Sequence, residues 1–178
     1  DIDLDDNSEE GDTTIKDLAK TKKIICYFSA GSVEDWRNDY PDFLPEDIGQ
    51  PMKDWPGEWW LNVNSPNVKA IMKKRIERAA KAGCHAVDPD NVDGYGSNHQ
   101  DGFTYPQADY VEYMKYLADL AHQNNMAIGL KNAVEIIPAL VSTVDFFVNE
   151  QCHNLDFNEC WKYKPATDAG KAVFNIEY

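Results

Sequence analysis

The sequence predicts an α/β fold, a (β/α)8 TIM-type barrel, on three observations. Short apolar runs alternate with longer amphipathic segments, no G-x-G-x-x-G follows any of the runs, and polar residues collect at the runs' carboxyl ends. The alternation implies parallel strands joined by right-handed helical crossovers, which a barrel or a doubly wound sheet satisfies. The missing glycine motif weakens the doubly wound alternative. Strands are expected at residues 1–5, 23–30, 58–63, 85–90, 126–132, 146–150 and 172–178. Between the first two, Ile15, Leu18 and Ala19 suit a short helix. Val68, Ile71, Met72, Ile76 and Ala79 recur on one side of a longer helix, and Gly83 ends it as a C-cap. Tyr110, Met114, Leu117, Leu120 and Ala121 repeat the pattern, with Asp109 near its start. Residues 136–144 and the segment after Leu155 carry weaker helical patterns.

With 178 residues, 43% hydrophobic and 12% aromatic, the chain suffices for one domain with a sizeable core and is too short for two large ones. Residues 1–178 are therefore expected to form a single barrel domain. Seventeen basic against thirty-one acidic residues give a net charge of -14, which argues against nucleic acid or an anionic membrane as partner. A cationic partner fits this charge; so does plain solubility. No stretch approaches the ~18 consecutive apolar residues of a spanning helix, and the chain opens on Asp1-Ile2-Asp3-Leu4 rather than on a signal segment. Cys26, Cys84, Cys152 and Cys160 show no C-x-x-C spacing, so zinc and thioredoxin-like readings lose their usual support. Cys152 and Cys160 are close enough in sequence to bridge a loop, which would place the protein in an oxidising compartment.

The densest chemistry lies in Ala86-Val87-Asp88-Pro89-Asp90-Asn91-Val92-Asp93-Gly94-Tyr95. Ala86, Asp88 and Asp90 are spaced by two, so on a strand their side chains point the same way. Two like charges this close perturb one another's pKa, as acid–base and nucleophile chemistry needs. The same residue types also form solvated turns. A calcium loop starting at Asp88 fails, because Val92, Asp93 and His99 fall on the fifth, sixth and twelfth positions. No metal and no cofactor is expected. Ser29, Asp88, Asp90, Lys131, Asn132, Asn149, Glu150, Glu177 and Tyr178 all fall at the carboxyl ends of expected strands. A barrel brings such ends to one face, where active sites are built, and unpaired charges would be costly in a core.

The series Ile25-Cys26-Tyr27-Phe28-Ser29-Ala30-Gly31-Ser32, Asp35-Trp36-Arg37, Trp55-Pro56-Gly57-Glu58, Asp88 to Tyr95, Gly129-Leu130-Lys131-Asn132, Asn149-Glu150-Gln151-Cys152 and Ile176-Glu177-Tyr178 resembles glycoside hydrolase family 114. The resemblance spans nearly the whole chain. It implies an endo-α-1,4-polygalactosaminidase on a (β/α)8 barrel, secreted and acting on partly deacetylated galactosamine-rich polysaccharide. It also implies a strand before Asp1 and a helix after Tyr178, so the chain is expected to be a barrel incomplete at both ends, with seven of eight strands. Val33 stands where the family usually has an aromatic residue, and Asn62 where it commonly has Asp. Both departures touch subsite details rather than the acidic motif.

Glycoside hydrolysis needs one carboxyl group to protonate the leaving oxygen and another to attack the anomeric carbon or activate water. By resemblance Asp90 is the nucleophile and Glu150 the acid/base of a retaining enzyme, with Asp88 the rival for the first role. Carboxylates such as Asp3, Asp88, Asp93 and Glu177 are candidates for lining subsites and selecting amines, Glu177 also competing for the acid role. Tyr27, Trp36, Trp55, Trp59, Trp60 and Tyr95 offer flat faces for sugar rings, with Trp36 and Tyr95 preferred. Ser29, Asn91, Lys131, Asn132, Gln151 and Tyr178 complete the expected binding set, while His122 is expected to be structural. The expected partner is a cationic galactosamine-containing polysaccharide, bound by a monomer. A non-catalytic barrel that binds cationic glycans is the alternative, and an unrelated barrel enzyme such as a sugar lyase or metal-dependent isomerase is a third.

Overall fold

The computed structural model of the protein describes residues 1–9, 11–154 and 158–178 and, at residues 97 and 98, the backbone alone. In chain order its first elements are β1 (Ile2–Asp3), α1 (Thr14–Ala19), β2 (Ile25–Ser29), β3 (Ser32–Glu34), β4 (Ile48–Pro51), β5 (Glu58–Leu61) and α2 (Pro66–Ala82). Then follow β6 (Ala86–Asp90), α3 (Gly96–His99), α4 (Gln107–Gln123), β7 (Ala127–Lys131), α5 (Ile137–Leu140), β8 (Phe146–Glu150), α6 (Lys164–Asp168) and β9 (Ala172–Ile176). Six strands form one parallel sheet in the order β1-β2-β6-β7-β8-β9, curled into half of a TIM-type barrel.

The long helices form where the apolar spacing places them. Ser65 caps α2 by accepting from the N–H groups of Asn67 and Val68 at 3.1 and 3.4 Å, and Pro66 occupies the first turn. Gly83 ends α2 in the left-handed conformation at φ 101°. Val68, Ile71, Met72, Ile76 and Ala79 are all buried. Arg75 is buried with them, its Nε and Nη2 donating to the two oxygens of Asp39 at 2.8 and 2.7 Å and its Nη1 to the Ser29 carbonyl at 2.7 Å. That last bond ties α2 to the end of β2. The weaker helical patterns are realised only in part: residues 136–144 hold α5 alone, and the segment after Leu155 begins outside the described residues and reaches α6.

One strand expectation is corrected. Residues 58–63, expected as a barrel strand, instead form β5 at the centre of a separate antiparallel sheet between β3 and β4. The barrel sheet therefore counts six strands rather than seven. β2 ends at Ser29 and β3 begins at Ser32, so the chain leaves the barrel within two residues and β5 pairs with these neighbours in sequence. Apolar alternation identifies a strand but not its partner, and β3 and β4 are too short to announce themselves.

Strand register sorts the barrel residues by face. Tyr27 pairs with Asp88 and Ser29 with Asp90, while Phe146 pairs with Gly129 and Ala172. The outward residues Cys26, Phe28, Val87, Ile128, Leu130 and Phe147 join the main core beneath the helices. The inward residues Ala86, Phe146 and Val148, with Ile25, Ala127 and Ile176, form a second cluster at the other face. Gly129 has no side chain because a Cβ there would stand 2.5 Å from the Phe146 ring. Two disulfides are present: the expected Cys152–Cys160, and Cys26–Cys84, which joins β2 to the turn before β6. Among the described residues no helix is long and apolar enough to cross a membrane.

Candidate active site

The carboxyl ends of β2, β6, β7 and β8 open into one cleft of ≈ 530 Å³. Three of these strands end alike. The last residue bears a charge, Asp90, Lys131 or Glu150, and the next is left-handed: Asn91 at φ 61°, Asn132 at 49° and Gln151 at 60°. Asn is the residue with a Cβ that enters this conformation most readily, whereas Gln151 is strained there, and such strain is common at functional sites. Two of the three amides also hold their neighbours. Asn132 accepts the Glu150 N–H on Oδ1 at 3.0 Å and donates from Nδ2 to Glu150 Oε2 at 3.3 Å. Asn91 Nδ2 donates to Ser32 Oγ at 2.8 Å and to Glu58 Oε1 at 3.1 Å.

At the centre, Lys131 Nζ lies 3.1 Å from Asp90 Oδ2 and 3.4 Å from Glu150 Oε1, and 4.8 Å above the Tyr27 ring. Burial alone would lower the lysine pKa, but Asp90, Glu150 and Asp88 together raise it, so Lys131 stays charged. Tyr27 donates from its hydroxyl to Asp90 Oδ2 at 3.1 Å. Burial, then the Asp90 charge, pushes the phenol pKa up and keeps that proton in place. Tyr178 donates to Glu150 Oε1 at 2.9 Å. Asp90 and Glu150 are thus two carboxylates that share one ammonium, each accepting further hydrogen bonds.

Asp88 points to the same face one layer deeper. It is fully buried and neither oxygen has a hydrogen-bond partner among the described residues. Burial is the largest effect on it; with Asp90 and Glu150 it outweighs Lys131 and lifts the pKa to about 7. Asp93 lines the cleft, and lost hydration followed by the Asp90 charge raises its pKa to about 6.

Of the residues expected to bind substrate, Tyr27, Asn91, Asp93, Lys131, Asn132, Gln151 and Tyr178 line this cleft with Asp90 and Glu150. Trp55, one of the flat faces offered for sugar rings, lines it too, whereas Asp3, Ser29, Trp36, Tyr95 and Glu177 sit elsewhere. Asp3 is held by Arg37 Nη2 at 2.8 Å, in a cluster where Arg37 also pairs with Glu34 and Asp6. Ser29 is buried behind the wall, its Oγ 3.4 Å from Glu58. Trp36 stands exposed beside Gly57, and Tyr95 packs edge-on against Tyr110 at 5.1 Å between centroids. Glu177 accepts from the His153 N–H and Asn175 Nδ2, both at 3.0 Å, and does not line the cleft. His122 pairs with Asp145 at 2.8 Å, away from the site.

The inserted sheet and its turn supply three lining residues, the expected Trp55 and two that were not expected, Met52 and Glu58. Trp55 is 63% exposed, a flat face at the rim. Glu58 is buried, and its carboxyl pKa is raised by burial and then by Glu34 and Asp90, against the hydroxyls of Ser32 and Ser29. Both residues lie in the Trp55-Pro56-Gly57-Glu58 motif, but with the strand assigned to the barrel Glu58 sat at the amino end, away from any site.

The chain is similar to the Aspergillus fumigatus protein Ega3, known in a crystal structure of its complex with galactosamine, at 48% identity and a TM-score of 0.88, over 93% of this chain and 65% of that one. The glycoside hydrolase domain of PelA from Pseudomonas aeruginosa shares the fold, at 15% identity and a TM-score of 0.73 over 92% of this chain and 71% of that one. An uncharacterized protein of Deinococcus radiodurans is 26% identical over 192 aligned positions, covering 98% of this chain and 62% of that protein. The chain thus spans a little under two thirds of the length of both Ega3 and the Deinococcus protein. The sequence profile of glycoside-hydrolase family GH114 matches residues 1–178, from end to end, and the chain belongs to that family.

Proposed function

We propose that this protein is a glycoside hydrolase that cleaves internal α-1,4 bonds of galactosamine-rich, partly deacetylated polysaccharide with retention of configuration. The observation that carries the reading is the pair Asp90 and Glu150 sharing the ammonium of Lys131 in one cleft. Asp90 attacks the anomeric carbon while Glu150 protonates the leaving glycosidic oxygen; Glu150 then takes a proton from water, which releases the sugar from Asp90. Lys131 and Tyr27 both bond Asp90 Oδ2 and hold that carboxylate in place. Access supports Asp90 over Asp88 as nucleophile, since Asp90 lines the cleft and Asp88 is fully buried. Retention is the outcome that the resemblance to the family implies, and the shared ammonium keeps the two carboxylates near one another.

The substrate assignment draws on the likeness to Ega3, whose structure holds galactosamine, and on a net charge of -14, which suits a cationic polymer. Two disulfides agree with secretion into an oxidising compartment. The test is digestion of fully and partly deacetylated galactosaminan, with mass spectrometry of the fragments and NMR of the first anomer formed. Asp90→Asn and Glu150→Gln should each lower turnover by about 10³-fold or more with unchanged melting temperature. Full turnover in either variant would sink the assignment of that residue. Binding without any new reducing end in the unaltered protein would leave a glycan-binding barrel in its place.

A further inference from the structure

The cleft contains more negative charge than its own cation can answer. Asp90 and Glu150 share Lys131, whereas Glu58 and Asp93 line the same cleft without an ion pair to a lysine or arginine among the described residues. Glu58 is the more constrained of the two. It reaches the cleft from β5, outside the barrel, and its side chain is fixed through one oxygen only: Oε1 accepts from Ser32 Oγ at 2.5 Å, Asn91 Nδ2 at 3.1 Å and Ser29 Oγ at 3.4 Å. Oε2 accepts no hydrogen bond among the described residues and is not sealed from solvent, and Glu58 lines the cleft. Three donors on one oxygen and none on the other leave a carboxylate aimed at whatever the cleft holds.

Resting on the glycosidase reading above, we propose that Glu58 is the residue that selects a 2-amino sugar, its Oε2 pairing with the ammonium group of the ring attacked by Asp90. The placement follows the chemistry of the sugar. The amine is borne by C2, next to the anomeric carbon that Asp90 attacks, and Glu58 is tied to Asn91, the residue next to Asp90 in the chain. A buried carboxylate without a counter-ion gains most from a cation and tolerates a neutral acetamide poorly, because the acetamide leaves its charge unanswered. Burial and the neighbouring charges of Glu34 and Asp90 raise the Glu58 pKa, so the unoccupied site has a standing electrostatic penalty that a substrate ammonium relieves.

The test is Glu58→Gln, an isosteric change that keeps an oxygen acceptor for Ser32, Ser29 and Asn91 and removes only the charge. Digestion of a randomly half-acetylated galactosaminan, followed by mass spectrometry of the new reducing ends, reads the ratio of free amine to acetamide at the attacked ring. The unaltered protein should enrich free amine there, and E58Q should lower that ratio by about ten- to hundredfold. An unchanged ratio in a folded, active E58Q would overturn the proposal and leave the glycosidase reading intact. If the unaltered protein releases no fragments, the glycosidase reading itself has failed. A crystal structure of the unaltered protein with galactosamine decides the matter without the variant. An ammonium within hydrogen-bond reach of Glu58 Oε2 supports the assignment, and one on Asp93 or Glu150 overturns it.

Discussion

Asp88 places a carboxyl group inside the sheet with no hydrogen-bond partner on either oxygen and a pKa of about 7. Below pH ~4 both folded and unfolded chains hold this proton. Between there and about 7 the unfolded chain releases it and the folded one does not, so stability falls as pH rises. The full penalty at higher pH has an upper bound of about 4 kcal/mol. Asp88→Asn removes the titration but leaves an unpaired amide, a pH-independent cost of ~1–3 kcal/mol. The variant's melting temperature should therefore gain on that of the unaltered protein as pH is raised from 4 to 8, and parallel curves would refute this. Alternation along β6 already gave Asp88 and Asp90 the same facing in the sequence. Depth could not be read there, because layers inside a barrel depend on register between strands, such as Tyr27 against Asp88. Glu58 was hidden for a related reason: its role depends on a pairing with β3 and β4 that local pattern does not encode.

Among the elements, the turn from β2 to β3 sets how closely the inserted sheet approaches the barrel. A Cβ on Gly31 would stand 1.7 Å from the Asn91 carbonyl oxygen, and the Gly31 carbonyl itself accepts from Leu61 N–H at 2.9 Å. The two sheets touch there with no room for a side chain. Gly31→Ala should destabilise the protein by about 1–3 kcal/mol, read as a shifted denaturant midpoint. It should also lower activity, because Asn91 moves and takes its bond to Glu58 with it. Unaltered stability would show that the turn yields freely. The helices α2 and α4 were legible because their apolar faces repeat every three or four residues and Gly83 marks an end. Short elements such as β3 and α3 were not, since three or four residues hold too little pattern to distinguish a strand from a turn, and α5 showed only as a weak helical pattern over residues 136–144.

Across the whole molecule, Cys26–Cys84 closes a span of 58 residues that contains the entire inserted sheet and α2, whereas Cys152–Cys160 closes one of 8. By chain entropy the long crosslink is worth up to about 4 kcal/mol and the short one about 2.5 kcal/mol. Replacing Cys26 and Cys84 together by Ser should thus lower the unfolding free energy more than replacing Cys152 and Cys160; the reverse order in urea titrations would contradict it. The short bridge was visible from proximity in sequence. The long one was not, because only the packing of β2 beside β6 brings its sulfurs together. The left-handed residues after β6, β7 and β8 have a consequence at this scale too. They mark the seam between a fixed part and an exchangeable one: Asp90, Lys131 and Glu150 belong to the sheet, while the loops begin beyond Asn91, Asn132 and Gln151. Loops transplanted from another family member onto these three seams would reshape what the protein accepts while the charged triplet stays in register, as tools are changed on a common handle.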